Sequence, residues 1–306
     1  MKIKIIHTKH LRWIDVVSPG PEEMKWMREN FKFHPLHFET IAHPQQRPHI
    51  DQEDNYDFFV LLFPVYHSET KEILPGEVDF IIGDNFLVTV HYEEIYTMKT
   101  LFNQLRTSAE ARAANTQKGP GYLLYTVLEN LFRRSYPILD HMSEDIEVIE
   151  KNIFHQNDAS ILSKISLMNR NVIEFRKMMK THRFVLDKLR NRKSDYLTFP
   201  QSRACYGELL EYFENIWDIL EALKETSETL VNTSHALITH RLNEVTRIIS
   251  VFSAIVLPAT LVAFLFGAGV GGKPFQTSSW GFWIVMGLMM LASLIVAAIF
   301  KKKKWF

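Results

Sequence analysis

The sequence predicts an α+β membrane protein with an N-terminal cytoplasmic α/β domain, a long helical stalk and two C-terminal transmembrane helices. Three observations predict it. Ile248 to Phe266 and Trp280 to Phe300 carry no charge. At about 1.5 Å per residue they reach roughly 28 and 31 Å, the thickness of a hydrocarbon core. From Glu208 to Leu257 there is neither Gly nor Pro, and apolar residues recur at heptad spacing. Before residue 118, by contrast, short β-rich runs alternate with helical patterns.

Taken in order, the amino end MKIKIIHTKHLRWIDV alternates apolar and polar residues and reads as a strand, without the h-region and cleavage site of a secretory signal. Pro21 after Ser18, with Glu22 and Glu23 behind it, marks a helix start, because acids favour the positive end of the helix dipole. Asp57 to Tyr66 and Val78 to His91 are strand-like, and Gly83-Asp84-Asn85 reads as a hairpin turn within the second run. Gly119-Pro120-Gly121 breaks the chain, and a second break falls between Asn191 and Pro200. Leu209, Phe213, Ile216, Leu220 and Leu223 form a coiled-coil seam. The same register continues through Ser227, Leu230, Ser234, Leu237 and Arg241, an increasingly polar line suited to a water-filled lumen.

The expected organisation is residues 1–118 for the cytoplasmic domain and 119–240 for the stalk. Residues 241–267 form the stalk end and first span, 268–279 the extracytoplasmic loop, 280–300 the second span, and 301–306 a basic tail. Lys301 to Lys304 close the second span and Arg241 and Arg247 flank the entrance to the first, so both termini are expected in the cytoplasm. Trp280, Trp283 and Trp305 stand near the membrane boundaries.

Composition removes several function classes. Lys and Arg number 35, balanced by 35 Asp and Glu, so no broad basic field is available to neutralise phosphates, and no nucleic-acid partner is expected. One cysteine, Cys205, excludes an intrachain disulfide framework and a multi-thiolate zinc site. Neither His-Glu-x-x-His nor Gly-x-Ser-x-Gly occurs, so the chain is not expected to be an enzyme. Gly267 to Lys273 nearly spells a phosphate-binding loop, but Pro274 stands where Ser or Thr must hold Mg²⁺, and no soluble strand precedes it.

Asn243-Glu244-Val245, then Pro258, then Gly267 nine residues later, resemble the stalk-to-pore segment of the CorA superfamily of divalent-cation transporters. Trp13-Ile14-Asp15-Val16, His34-Pro35-Leu36, Arg47-Pro48-His49-Ile50, Phe86 to His91 and Ile149-Glu150 resemble its cytoplasmic domain. The resemblance implies a CorA-like funnel, a homopentamer with membrane lipid around it, and a first span that lines the pore. No tightly bound cofactor is implied; Zn²⁺ and Mg²⁺ enter as transported or regulatory ions, in the inner or plasma membrane.

Helical spacing from Asn243 places Thr246, Ile249, Ser253, Leu257, Thr260 and Phe264 on one face. By resemblance Asn243, Thr246, Ile249, Leu257 and Thr260 fall on the family's pore-lining positions. Ile249 and Leu257 would then be constrictions that exclude water, and the polar side chains would offer oxygens to a hydrated ion. Close packing of small polar residues between helices is the competing account of the same Ser and Thr.

The family's Gly-Met-Asn triplet reads here Gly267-Ala268-Gly269. Gly269 has no amide to meet the ion's water shell, which weakens the expected selectivity for Mg²⁺. Gly271-Gly272-Lys273-Pro274 is closer to the loop of the family's zinc-transporting branch, so Zn²⁺ is favoured over Mg²⁺, Co²⁺ and Ni²⁺. Five copies of Lys273 about 10 Å from the axis would oppose a dication by roughly 4 kcal/mol in bulk water, and by about 1–2 after screening. That is a handicap and not a veto. Glu208 and Glu211, near Tyr206, stand at acidic positions of the family pattern and are candidates for regulatory metal, against the commoner role of a solvated helix face. Asp140, Glu144, Asp145, Glu147 and Glu150 read as such a face.

Thirteen histidines invite a metal reading, but His7 with His10 and His34 with His37 lack a third ligand in register. His235 and His240, near the membrane, could couple protons or bind zinc. Metal transport therefore stands against two other readings, a non-transporting scaffold or metal sensor with a degenerate pore, and a membrane-tethered metallohydrolase.

Overall fold

The computed structural model describes residues 2–44, 47–92, 95–154, 159–268, 274 and 279–303. They form two compact units, Met1–Val231 and Asn232–Phe306.

The first unit is organised on a six-stranded sheet of order β1-β2-β6-β5-β4-β3. The strands are β1 (Ile3–His7), β2 (Arg12–Val17), β3 (His49–Gln52), β4 (Tyr56–His67), β5 (Glu72–Gly83) and β6 (Phe86–His91). All neighbours are antiparallel except β2 and β6, which run parallel. The hairpin at Asp84-Asn85 joins β5 to β6 as expected. The amino end differs from the single expected strand, because it folds back on itself. The Thr8 hydroxyl accepts the Leu11 N–H and donates to the Leu11 carbonyl, turning the chain between β1 and β2. An alternating pattern that continues across a polar turn hides the turn.

Phe58, Phe59, Val60 and Leu61 are all fully buried, which requires cover on both faces of the sheet, since successive side chains point to opposite sides. On one face Ile14, Val16, Phe58, Val60, Ile81, Val88 and Val90 pack against α1 (Pro21–Asn30) and α2 (Pro35–Ala42) through Met24, Met27, Phe38 and Ile41. On the other lie α3 (Tyr96–Thr107), α5 (Pro120–Asn152) and α6 (Ala159–Met179), where Trp13 meets Phe102 at 4.9 Å between ring centroids and Phe63 meets Phe132 at 5.6 Å. The short α4 (Ala109–Thr116) and α7 (His182–Asn191) complete this layer.

Helix α1 starts at Pro21 as expected, with Gly20 as its cap. The Gly20 carbonyl accepts the Met24 N–H, and the Glu23 carboxylate accepts the N–H groups of Lys2 and Gly20. Those backbone donors, Lys2 first, hold the Glu23 carboxyl below its ordinary range. The break before α5 is set by Gly119, at φ +94°. A Cβ at Gly121 would lie 2.7 Å from the Tyr196 carbonyl oxygen, so the linker between α7 and α8 (Ser202–Gly267) presses directly on the start of α5.

Helices α5 and α6 pack on β4 and β5 within the first unit, because their apolar faces cover the sheet. The heptad seam of α8 is likewise consumed within the chain. Leu209, Phe213, Ile216, Leu220, Leu223 and Leu230 are buried, and Ser227 is 1% exposed with its hydroxyl hydrogen-bonded to Asn169 of α6 at 3.2 Å. The seam through Leu230 therefore packs against the chain's own helices and faces no lumen. A heptad pattern reports a buried stripe without reporting what buries it.

Candidate functional site: the exposed stripe of the first span and the Glu208 cluster

The second unit holds the membrane-crossing part of α8 and α9 (Gly281–Lys302), the two helices long and apolar enough to span a bilayer. Both are almost wholly uncovered by protein over their apolar windows, as helices solvated by lipid or by neighbouring subunits must be. On α8, Val251 is buried and Ala254, Ile255, Pro258, Ala259 and Val262 are half-buried. The Ser293 hydroxyl of α9 donates to the Ile255 carbonyl at 3.0 Å, so this is the face on which α9 packs.

Two residues further along a helix is a rotation of about 200°, which is the opposite face. Asn243, Thr246, Ile249, Ser253, Leu257 and Thr260 are all exposed, and Phe264 with them. Ile249 and Leu257, at 59% and 63% exposure, have no cover from within the chain. The stripe is polar at Asn243 and Thr246 and alternates apolar and polar side chains from Ile249 to Phe264. Thr260 donates its hydroxyl proton to the Leu257 carbonyl at 2.8 Å, which leaves its oxygen lone pairs for an outside donor such as a water of hydration.

Pro258 lies inside α8 without ending it. Lacking an N–H, it leaves the Ala254 carbonyl without its intrahelical partner, and the Ser293 bond is made to the carbonyl next along the chain. At the end of the helix, Ala268 N–H donates to Phe264 O at 2.9 Å, and a Cβ on Gly267 would meet nothing within 4 Å. Gly269, Gly271, Gly272 and Lys273 lie outside the described residues, as do Lys304 and Trp305.

In the first unit, Glu208 is half-buried and Glu211 exposed. Glu208 Oε2 accepts the Tyr125 hydroxyl at 2.8 Å and Oε1 accepts that of Tyr212 at 3.3 Å, while Arg133 donates to the Tyr212 oxygen. Burial, then the bond to Glu208, pushes the Tyr125 hydroxyl up, so it stays a donor. Tyr125 lies on a different helix from Glu208 and no spacing in the sequence points to it, whereas Tyr212, four residues along the same helix, is a neighbour that helical spacing offers. Asp140, Glu144, Glu147 and Glu150 are exposed on α5 as expected of a solvated face, and Asp145 between them is half-buried. His7 lies on β1 and His10 in the turn after it, and His235 and His240 are exposed. Among the described residues no three His, Cys, Asp or Glu groups stand ready-made around a metal position.

The pattern of the CorA-like Mg²⁺ transporter proteins matches residues 8–302. The chain belongs to this family. Its members are transporters, and with two apolar helices the chain is an integral membrane protein. It is 26% identical over 298 residues to the cobalt/magnesium transport protein CorA of Thermotoga maritima, covering 96% of this chain and 83% of that one. It is 21% identical over 299 residues to the zinc transport protein ZntB of Yersinia pseudotuberculosis, covering 96% and 87%. The complete CorA magnesium transporter structure from Methanocaldococcus jannaschii superimposes with a TM-score of 0.79 at 20% identity, covering 98% of this chain and 94% of that one. The α+β fold with a C-terminal pair of apolar helices is thus the CorA fold, over nearly its full length.

Proposed function

We propose that the protein moves divalent metal cations across the inner or plasma membrane through the central pore of a homopentamer, with Zn²⁺ favoured over Mg²⁺, Co²⁺ and Ni²⁺. The observation that carries this reading is the uncovered stripe Asn243, Thr246, Ile249, Ser253, Leu257 and Thr260, on the face of α8 opposite to α9, in a chain of a transporter family. Around a five-fold axis these residues stack as alternating rings of oxygens and hydrocarbon, which suits an ion that keeps much of its water. Gly267, Ala268, Gly269 and Lys273 form the outer mouth. The zinc preference rests on the missing Asn amide and the Gly-Gly-Lys-Pro loop. Both termini are cytoplasmic, membrane lipid surrounds the spans, and no cofactor is tightly bound. A potential of 100 mV, inside negative, contributes about 4.6 kcal/mol per dication, so no nucleotide site is needed.

A second reading, a non-transporting scaffold or metal sensor, is favoured by Gly269 and Lys273. Uptake into proteoliposomes holding a Zn²⁺- or Mg²⁺-sensitive dye decides between the two. Saturable Zn²⁺ entry above the protein-free control is the expected result. An intact oligomer that passes neither ion would leave the scaffold or sensor.

Glu208 and Glu211 are proposed as the regulatory site. With one tyrosine hydroxyl already on each oxygen of Glu208, an ion there shares the carboxylate's remaining lone pairs and draws its other ligands from another subunit or from water.

A further inference from the structure

Ser293, midway along α9, sends its hydroxyl across to the first span. Its Oγ donates to the Ile255 carbonyl at 3.0 Å. A serine inside a helix ordinarily gives that proton to a carbonyl one turn back in its own helix. On α8, Ser250 does so to Thr246 at 2.7 Å and Thr260 to Leu257 at 2.8 Å. Ser293 departs from this pattern where small residues let two backbones approach. Ala254, Pro258 and Ala259 of α8 are half-buried, as are Ala292 and Ala297 on either side of Ser293, and a one-carbon side chain then reaches a main-chain oxygen of the neighbouring helix.

The bond lands beside the gap in the α8 ladder. Pro258, inside the helix, has no N–H to give the Ala254 carbonyl, and its ring pushes that carbonyl aside. Helices bend at such points. In hydrocarbon no water repairs the gap, and hydroxyls from neighbouring helices take that part. The Ile255 carbonyl, one residue on, has two lone pairs and can accept Ser293 beside a bond within its own helix. The other side of the same turn carries Leu257, 63% exposed, on the uncovered stripe. The Ser293 bond and the Leu257 side chain thus stand at one level of α8, on opposite faces, with the proline beside both.

We propose that Ser293 is a positioning residue for transport: by tying α9 to Ile255 it keeps α8 from opening at Pro258, and so keeps the Leu257 ring narrow. This role rests on the pore reading of the first span and adds the outer helix to it as a brace. Without the hydroxyl, the two halves of α8 change their angle at the proline, Leu257 turns from the axis part of the time, and water enters the constriction. A hydrogen bond between membrane helices biases such an equilibrium by about 3- to 18-fold.

The test labels position 257 in intact oligomers in proteoliposomes. Cys205 is the only thiol of the chain, so Leu257→Cys on a Cys205→Ser background reports its own reaction with a small water-soluble maleimide. Zn²⁺ uptake is measured in parallel on proteins that keep Leu257. Ser293→Ala is expected to raise the labelling rate about 3- to 18-fold, and to raise uptake in the same direction. Pro258→Ala restores the missing N–H, so on that background Ser293→Ala is expected to change labelling by less than about twofold. A serine that only packs the two spans together would act equally on both backgrounds. Val256→Cys, one residue off the stripe, is expected to label at the same rate with and without the Ser293 hydroxyl. An unchanged labelling rate in Ser293→Ala overturns the proposal, and so does an equal increase on the Pro258→Ala background. Labelling needs no ion flow. A protein that passes neither Zn²⁺ nor Mg²⁺ yet shows the proline-dependent increase would keep Ser293 as the brace of α8 and remove the pore reading, whereas flux with unchanged labelling would keep the pore and remove the brace.

Discussion

The hydroxyl of Tyr125 donates a 2.8 Å hydrogen bond to Glu208, across 83 residues of sequence. It ties α5 to the first turns of α8 and takes one lone pair of an oxygen that the proposed regulatory ion would share. Tyr125→Phe is expected to cost about 1 kcal/mol in the absence of metal, and to make the protein gain more thermal stability from added Mg²⁺ or Co²⁺ than wild type gains. Melting curves of the two proteins with and without metal measure both effects. Equal gains would show that no ion meets Glu208.

Ile249 and Leu257 are proposed as the dry rings of the pore. Leu257→Ser replaces hydrocarbon by an oxygen and is expected to raise proteoliposome uptake about tenfold, the effect of removing about 1.4 kcal/mol from the barrier. Val256, one residue away and off the stripe, is the control: Val256→Ser should leave uptake within twofold of wild type. Equal effects at 256 and 257 would argue that the stripe does not face the ion.

Two buried groups in the first unit oppose each other in their response to pH. His182, fully buried against Phe63 and Phe132, has its pKa lowered by burial from 6.5 to about 4. The unfolded chain therefore binds the extra proton between those values, and stability is lost as pH falls through 6.5 toward 4, by about 3 kcal/mol. Asp57 is raised from 3.8 to about 6, by burial first, with Arg192 opposing. Its folded form keeps a proton that the unfolded chain releases, so stability falls by a similar amount as pH rises from about 4 to 6. The two slopes nearly cancel in the wild-type protein. Asp57→Asn is expected to expose the His182 slope as a steep loss on acidification from pH 6 to 4. His182→Phe is expected to expose the reverse, a gain. Denaturant midpoints at pH 4.5 and 6.5 read both.

A buried chain of polar groups links β2 to β6. Trp13 Nε1 donates to Thr89 Oγ1 at 3.1 Å, Thr89 Oγ1 donates to Asp15 Oδ1 at 2.9 Å, and His91 Nε2 stands 3.2 Å from the same oxygen. Thr89→Val keeps the shape and removes both bonds. Leaving Asp15 and the Trp13 N–H short of a partner is expected to cost about 2–4 kcal/mol, whereas Thr89→Ser should cost under about 1.5 kcal/mol. Chemical denaturation of the three proteins compares them.

What the sequence made legible was local or was repeated often enough to be unmistakable. The charge-free runs of the two spans, the Asp84-Asn85 turn, the Pro21 start and the Gly119 break depend on neighbouring residues, and each reappears in the fold. The pairing of Asp15 with His91, the reach of Tyr125 to Glu208 and the meeting of His37 with Asp51 depend on which elements lie side by side. No periodicity carries that information. His34 and His37 attracted attention at i,i+3 because helical spacing is the only proximity a sequence displays directly. The partner of His37 comes instead from a four-residue strand, too short to announce itself. The seam of α8 was seen, but its direction was not, for the same reason.

The parallel alignment of β2 with β6 sets an order of events during synthesis. Val17 and Phe86 stand at the ends of neighbouring strands but roughly 70 residues apart in the chain, so the amino-terminal hairpin has no place in the sheet until β6 has left the ribosome. The antiparallel β4-β5-β6 meander, joined by short turns, can assemble first and present β6 as a template. Because both spans are encoded after residue 231, the whole sheet and its helices emerge before the first span does. At synthesis rates of about 5–20 residues per second, roughly 8–30 s separate completion of β6 from emergence of the first span. The soluble unit thus has time to close around its core before the nascent chain is committed to the bilayer.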